Sequence, residues 1–239
     1  MNEGQQITLS VWRGDAGGGL RDYRLPWRAD QTVLDLVTYV QRRLDPSLAY
    51  RFACRVGMCG SCAMTVNGRP RWTCRTLVRD ALRDGRLELR PLANLPVIRD
   101  LVADLTPFFE KWQQAKGRFR PRDARAGFAR LAPQAPERRE IDATIECINC
   151  AVCYAACDVV ATTPEYLGPA ALNRAWSLMR DSRDGDGDAR LKAIAAYGGC
   201  HSCHTRQACA ELCPKQLNPT ASIAGLKRLA AAAALRGKL

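Results

Sequence analysis

The sequence predicts an α+β fold, a small mixed sheet crossed by one helix and followed by an all-helical half. Three observations carry this. Apolar residues alternate in short paired runs over roughly the first ninety positions, and they recur at three- and four-residue spacing afterwards. Twelve cysteines fall into three tight groups, one in the alternating part and two in the helical part.

Ile7, Leu9 and Val11 alternate, Gly17-Gly18-Gly19 supplies a turn, and Tyr23, Leu25 and Trp27 alternate again, so residues 7–27 read as a hairpin. A helix follows, with Asp30 as its expected cap and Val33, Leu36, Val37, Val40 and Leu44 on one stripe. Asn67-Gly68, the dipeptide suited to a tight hairpin turn, separates strands at 64–66 and 69–74, and Leu87 and Leu89 mark a further strand. Leu101, Leu105, Phe108, Phe109 and Trp112 form a second amphipathic stripe. From Lys116 to Arg139 the chain holds eight basic residues and three prolines with little apolar periodicity, and reads as a basic linker. Helical patterns resume around 170–179 and 220–235, with an Asp- and Gly-rich turn over 181–188. The expected division is residues 1–104 and residues 105–239.

The cysteine spacings point to iron-sulfur chemistry, because a loop must aim several soft thiolates at one inorganic core. Cys54, Cys59, Cys62 and Cys74 read C-x4-C-x2-C with a fourth cysteine downstream, and Gly57 and Gly60 let the backbone fold close around them. Strands and one helix around such a loop are similar to the plant-type 2Fe-2S ferredoxin (β-grasp) arrangement. Cys147, Cys150, Cys153 and Cys157 read C-x2-C-x2-C-x3-C, and Cys200, Cys203, Cys209 and Cys213 end in Cys213-Pro214. In two-cluster bacterial ferredoxins the fourth cysteine of each run ligates the other cluster. That rule places Cys147, Cys150, Cys153 and Cys213 on a 4Fe-4S cluster and Cys157, Cys203 and Cys209 on the other. Arg206 stands where the second run wants its middle cysteine, and arginine cannot ligate iron, so a 3Fe-4S cluster is expected there. Cys200 is the alternative fourth ligand. It precedes Cys203 by three residues where the motif wants one three residues after, and reads instead as a small buried residue nearby.

Other uses of cysteine fit less well. Disulfide frameworks serve chains too short to build a core, and this one has 239 residues, 47% apolar and 25% charged. Cys200–His204 matches the c-type haem sequence C-x-x-C-H, but attachment would take Cys203 from the ferredoxin run. C-x2-C-x2-C-x3-C is a poor zinc pattern, and with two histidines and no aromatic-basic interleaving no nucleic-acid partner is expected. The net charge of +12 partly compensates anionic clusters, with the remainder suiting an acidic partner or lipid headgroups. The longest aliphatic stretch, 229–235, is too short to span a bilayer, and the start Met1-Asn2-Glu3-Gly4 carries no secretory pattern. A cytoplasmic chain with peripheral membrane contact is expected.

From Arg51 to Cys74 and from Cys147 to Lys227 the chain resembles the iron-sulfur subunit of succinate:quinone oxidoreductases, the succinate dehydrogenase and fumarate reductase family. The stretches that carry this are Cys54-Arg55-Val56-Gly57-Met58-Cys59-Gly60-Ser61-Cys62, Cys147-Ile148-Asn149-Cys150, Gly168-Pro169-Ala170-Ala171, Asp181-Ser182-Arg183-Asp184 and Cys213-Pro214-Lys215. The surroundings of Asn149, Tyr154 and Gly168 are more similar to the fumarate reductase branch. The resemblance implies a relay subunit at the cytoplasmic face of the bacterial inner membrane. A partner flavoprotein would hold FAD and the dicarboxylate site, and membrane-anchor subunits would help form a site for menaquinone or ubiquinone. It implies the order 2Fe-2S, 4Fe-4S, 3Fe-4S from flavin to quinone, and places His204 and Lys227 at the quinone end. Asp158 departs from the proline usual there. No flavin-binding glycine motif or nucleophile-base pair is present, so the chain is expected to conduct electrons and to hold no catalytic residue. The different readings left are a free ferredoxin-like carrier and the iron-sulfur subunit of another flavoprotein oxidoreductase.

Overall fold

The computed structural model describes residues 6–123 and 131–239. In chain order these form β1 (Gln6–Arg13), β2 (Gly19–Pro26), α1 (Val33–Tyr39), β3 (Ala63–Val66), β4 (Arg69–Trp72), α2 (Val78–Ala81), β5 (Arg86–Arg90), β6 (Val97–Arg99), β7 (Val102–Ala103), α3 (Thr106–Gln114), α4 (Pro136–Ile145), α5 (Val152–Ala155), α6 (Asp158–Thr162), α7 (Pro169–Met179), α8 (Gly187–Ala195), α9 (Ala208–Glu211) and α10 (Pro219–Leu235). Two compact units result. One is Met1–Leu105 with Ile148–Ala156, the other Thr106–Cys147 with Cys157–Leu239. The sequence division had put 148–156 wholly with the helices. No helix among the described residues is long and apolar enough to cross a membrane.

The first unit is a five-stranded mixed sheet ordered β2-β1-β5-β3-β4, with β1 and β5 parallel and the other pairs antiparallel. Period-two alternation puts Ile7, Leu9 and Val11 on one face, and α1 lays Val33, Leu36 and Val37 against it, with Val40 continuing the stripe. Each such fully buried aliphatic side chain contributes roughly 1.5–3 kcal/mol. Asn67 and Gly68 both have positive φ, as the two-residue turn between β3 and β4 requires. The cap of α1 is Thr32, not Asp30. Its hydroxyl accepts from the Asp35 amide while the Asp35 carboxylate accepts from the Thr32 amide, a reciprocal box that Asp30 has no register to make. The stripe ends at Val40, where a π-helical turn over Val40–Leu44 rotates Leu44 out to 45% exposure.

A polar cluster ties the sheet's far corner together. Arg13 donates to Asp45 (2.6 Å), Tyr23 (2.7 Å) and Asp100 (3.0 Å), and Asp100 also accepts from the amides of Gly14 and Ala49. The Ser47 hydroxyl first, then Tyr23 and Arg13, hold the Asp45 carboxyl below the usual carboxylate range. Burial raises that of Asp100, but the two amides and Arg13 outweigh it and the net shift is also downward.

In the second unit α7 packs against α4 and α10. Leu101 is not part of the following helix. It is buried in the sheet unit's core, and α3 starts only at Thr106. The segment read as a linker is fixed at its start. Arg190, fully buried, forms an ion pair with fully buried Asp184 (2.6 Å) and donates to the carbonyls of Lys116 and Arg118. Asp184 in turn accepts from the Arg120 amide, and the Arg122 amide donates to the Arg183 carbonyl. Residues 124–130 of that linker lie outside the described residues.

Asp184→Ala leaves the Arg190 charge buried without its partner and is expected to lower the unfolding free energy by about 3–5 kcal/mol in urea titration of the full chain. Asp45 and Asp100 titrate lower in the folded than in the unfolded chain, so their stabilisation is complete above about pH 4 and is lost as the pH falls through their folded values. Asp45→Asn is therefore expected to lower the urea midpoint at pH 7, with the gap from wild type closing below about pH 3.

Candidate metal centres

In the first unit the loop from Cys54 to Cys62 curls inward through left-handed backbone at Arg55, Gly57 and Gly60. The amides of Met58 and Cys59 both donate to Cys54 Sγ at 3.3 Å, and the Ser61 hydroxyl donates to Cys59 Sγ at 3.3 Å. The Ser61 bond, then the backbone, draw the Cys59 thiol down to about 6. Cys74 reaches the loop from the turn after β4, and burial, then Cys62 and Cys54, push its thiol up to about 11. The four thiols therefore sense one another. Donors aimed at sulfur favour the thiolate state that iron requires. The cradle has no spare room. A Cβ on Gly60 would stand 2.6 Å from Cys150 Cβ, and one on Gly57 would press Arg75 and Trp72.

The two later cysteine runs share one backbone form. Asn149 and Ala151, two and four residues after Cys147, have positive φ, and so do Thr205 and Gln207, two and four residues after Cys203. Four-residue helices then start at the same offset, α5 at Val152 and α9 at Ala208. Arg206 thus occupies in its run the place that Cys150 holds in the other. Non-glycine residues in left-handed backbone each cost roughly 1–2 kcal/mol, a strain that collects at functional sites.

In the second unit Cys157, Cys203 and Cys209 line one cavity together with Tyr166, His204 and Arg206. Burial raises the thiols of Cys157 and Cys209, and each also feels Cys203. The Thr205 amide donates to Cys203 Sγ (3.4 Å), and Thr220 Oγ1 lies 3.3 Å from Cys209 Sγ. Tyr166, 1% exposed, sits beside all three thiols, and burial, then their charge, pushes its hydroxyl far up. Neither Tyr166 nor Thr220 is marked by spacing. The family-like run Gly168-Pro169 two residues beyond Tyr166 was the available signal. Cys200 is fully buried. Burial raises its thiol, and its strongest charged influence is Lys227, whose ammonium donates to the Cys203 carbonyl at 2.7 Å. His204 is exposed at the cavity. Asp158 pairs with Arg206 at 2.7 Å.

Among the described residues no three or more His, Cys, Asp or Glu side chains close on a single metal ion. What the first loop and the cavity of the third run present is thiols set about a common space with hydrogen-bonding groups directed at sulfur, a donor set suited to a multinuclear iron-sulfur core.

Comparison with known proteins agrees. A family model described as a 2Fe-2S iron-sulfur cluster binding domain matches residues 8–110, and one described as a 4Fe-4S dicluster domain matches residues 143–217. The chain is 36% identical over 215 residues to a fumarate reductase iron-sulfur subunit of Haemophilus influenzae, covering 85% of this chain and 83% of the relative. It is 38% identical over 220 residues to that of Mycobacterium tuberculosis (90% and 87%) and 35% identical over 230 residues to a mitochondrial succinate dehydrogenase iron-sulfur subunit of Oryza sativa (93% and 81%). Among solved structures, a chain of the Mycobacterium smegmatis Sdh1 complex in the apo form matches with a TM-score of 0.86 at 32% identity, over 95% of this chain and 96% of that one.

Gly60→Ala adds a methyl group to left-handed backbone against Cys150. It is expected to destabilise the loop by about 1–3 kcal/mol and to reduce iron and acid-labile sulfide per chain, measured against a Gly68→Ala control whose Cβ meets nothing within 4 Å.

Proposed function

The chain belongs to the family of iron-sulfur subunits of succinate dehydrogenase and fumarate reductase, and on that premise we propose that it is the electron relay between FAD on a partner flavoprotein and a quinone at a membrane-anchor subunit. Three clusters, when bound, supply carriers that take and give up one electron at a time. Residues 1–104 hold the 2Fe-2S cluster through Cys54, Cys59, Cys62 and Cys74, and residues 105–239 hold the other two. Cys147, Cys150, Cys153 and Cys213 hold a 4Fe-4S cluster, and Cys157, Cys203 and Cys209 a 3Fe-4S cluster.

The observation that carries this reading is the cavity edged by Cys157, Cys203 and Cys209, with Arg206 at the place of a fourth thiolate. Tyr166 and Thr220 orient the sulfurs there, and the Thr205 amide stabilises negative charge on Cys203. Lys227, held to the Cys203 carbonyl, brings a positive charge to the same end, where it favours electron density on a quinone oxygen. His204, exposed at the same cavity, is the second residue assigned to the quinone end. Cys200, buried beside Lys227, is a packing residue. In the first unit Val56 and Met58, 61% and 62% exposed, lie between Cys54 and Cys59 and offer apolar surface to the flavoprotein. The chain then lies peripherally on the cytoplasmic face of the bacterial inner membrane.

Electron paramagnetic resonance of the anaerobically purified complex, oxidised and then reduced in steps, tests the assignment. Wild type and Cys200→Ser are expected to share an oxidised-state 3Fe-4S signal, and Arg206→Cys, which supplies the missing thiolate, to lose most of it. A signal absent from wild type that emerges only in Cys200→Ser would make Cys200 a ligand and sink the assignment.

A further inference from the structure

Two positions stand apart from the pattern around the third cysteine run, Arg206 in place of a ligand and Asp158 directly after Cys157. They are partners. Arg206 Nε lies 2.7 Å from Asp158 Oδ2, while Asp158 Oδ1 accepts from the Val159 amide at 3.0 Å, so both carboxylate oxygens are engaged and the guanidinium is held by a group itself anchored to backbone. Both residues line the cavity that Cys157, Cys203 and Cys209 edge. At 70% and 46% side-chain exposure the pair is solvent-screened, and such pairs contribute little to stability. The left-handed frame at Thr205 and Gln207 matches that at Asn149 and Ala151, so the Arg206 Cα stands at the run position where Cys150 stands in the other run.

We propose that Asp158 positions the Arg206 guanidinium across the corner of the third cluster that lacks a protein ligand, so that a fixed cation stands where a thiolate anion would otherwise be and makes that cluster easier to reduce. The inference rests on the 3Fe-4S reading given above. Arg206 supplies the cation, and Asp158 supplies its location while its own carboxylate offsets part of the field. One electron added to the cluster deepens its negative charge, and a nearby cation favours that state. Without Asp158 the long, exposed arginine is free to turn into water, where its charge is screened.

Redox titration of the purified complex, followed by the oxidised-state 3Fe-4S signal, tests this in wild type, Arg206→Gln, Asp158→Asn and the double variant, with the signals of the other two clusters reporting intact folding. Arg206→Gln is expected to lower the reduced-to-oxidised ratio of the third cluster at fixed potential about threefold, the range of one screened charge pair. In the Asp158→Asn background the same substitution is expected to shift the logarithm of that ratio less than half as far. Arg206→Lys, which keeps the charge, is expected to stay within about twofold of wild type. Equal shifts in both backgrounds, or none in either, overturn the proposal. Absence of the oxidised-state signal from wild type overturns the cluster reading beneath it.

Discussion

Thiolates that share one inorganic core must face a common point, and a chain of L-residues turns inward that tightly only by entering left-handed backbone. The rest of the structure is arranged around this requirement. Arg55, Gly57 and Gly60 meet it in the first loop, Asn149 and Ala151 in the second run, Thr205 and Gln207 in the third. Only two of these seven are glycines, so the loops hold conformations of roughly 1–2 kcal/mol per non-glycine residue that ordered surroundings must over-determine. In the first unit the turn after β4 provides them, where the Thr73 amide and hydroxyl donate to the Cys62 carbonyl and Trp72 and Arg75 close on Gly57. In the second, α10 brings Thr220 to Cys209 and Lys227 to Cys203.

The electrostatics follow the same logic. Burying several thiols together opposes their ionisation, as Cys74, Cys157 and Cys209 register. The Ser61 hydroxyl on Cys59 and Thr220 beside Cys209 work in the other direction. The balance is local to each sulfur. Thiols of one group are therefore not equivalent, and hydrogen bonds to sulfur are among the levers on the potential of an iron-sulfur cluster.

Much of this was legible in the sequence, because metal ligation and sheet alternation both leave fixed spacings. The hairpin turns, the strand at Leu87 and Leu89 and the helices at 170–179 and 220–235 could be read from periodicity. The register of the helix cap could not, since Asp30 and Thr32 are both good caps and only the reach of Asp35 decides between them. Leu101 kept helical spacing with Leu105 and Phe108 by coincidence, and the core of the sheet claims it. Tyr166 and Thr220 were invisible because a residue that touches sulfur from outside the motif has no prescribed distance along the chain. The basic segment misled for a different reason. At its start the side chains of Lys116, Arg118, Arg120 and Arg122 are exposed, while backbone carbonyls and amides hold Arg190 and Asp184, and backbone groups leave no mark on composition.

Arg190 shows what that segment means for how the chain reaches its final state. The ion pair with Asp184 joins residues six apart and can close within one turn of chain, yet two of the guanidinium's contacts, to Lys116 and Arg118, come from more than seventy residues upstream. Until those carbonyls arrive, the unfinished charge needs water, and α8 cannot seat dry against its neighbours. Expulsion of water from around α8 and arrival of the strap are thus coupled across more than seventy residues of chain.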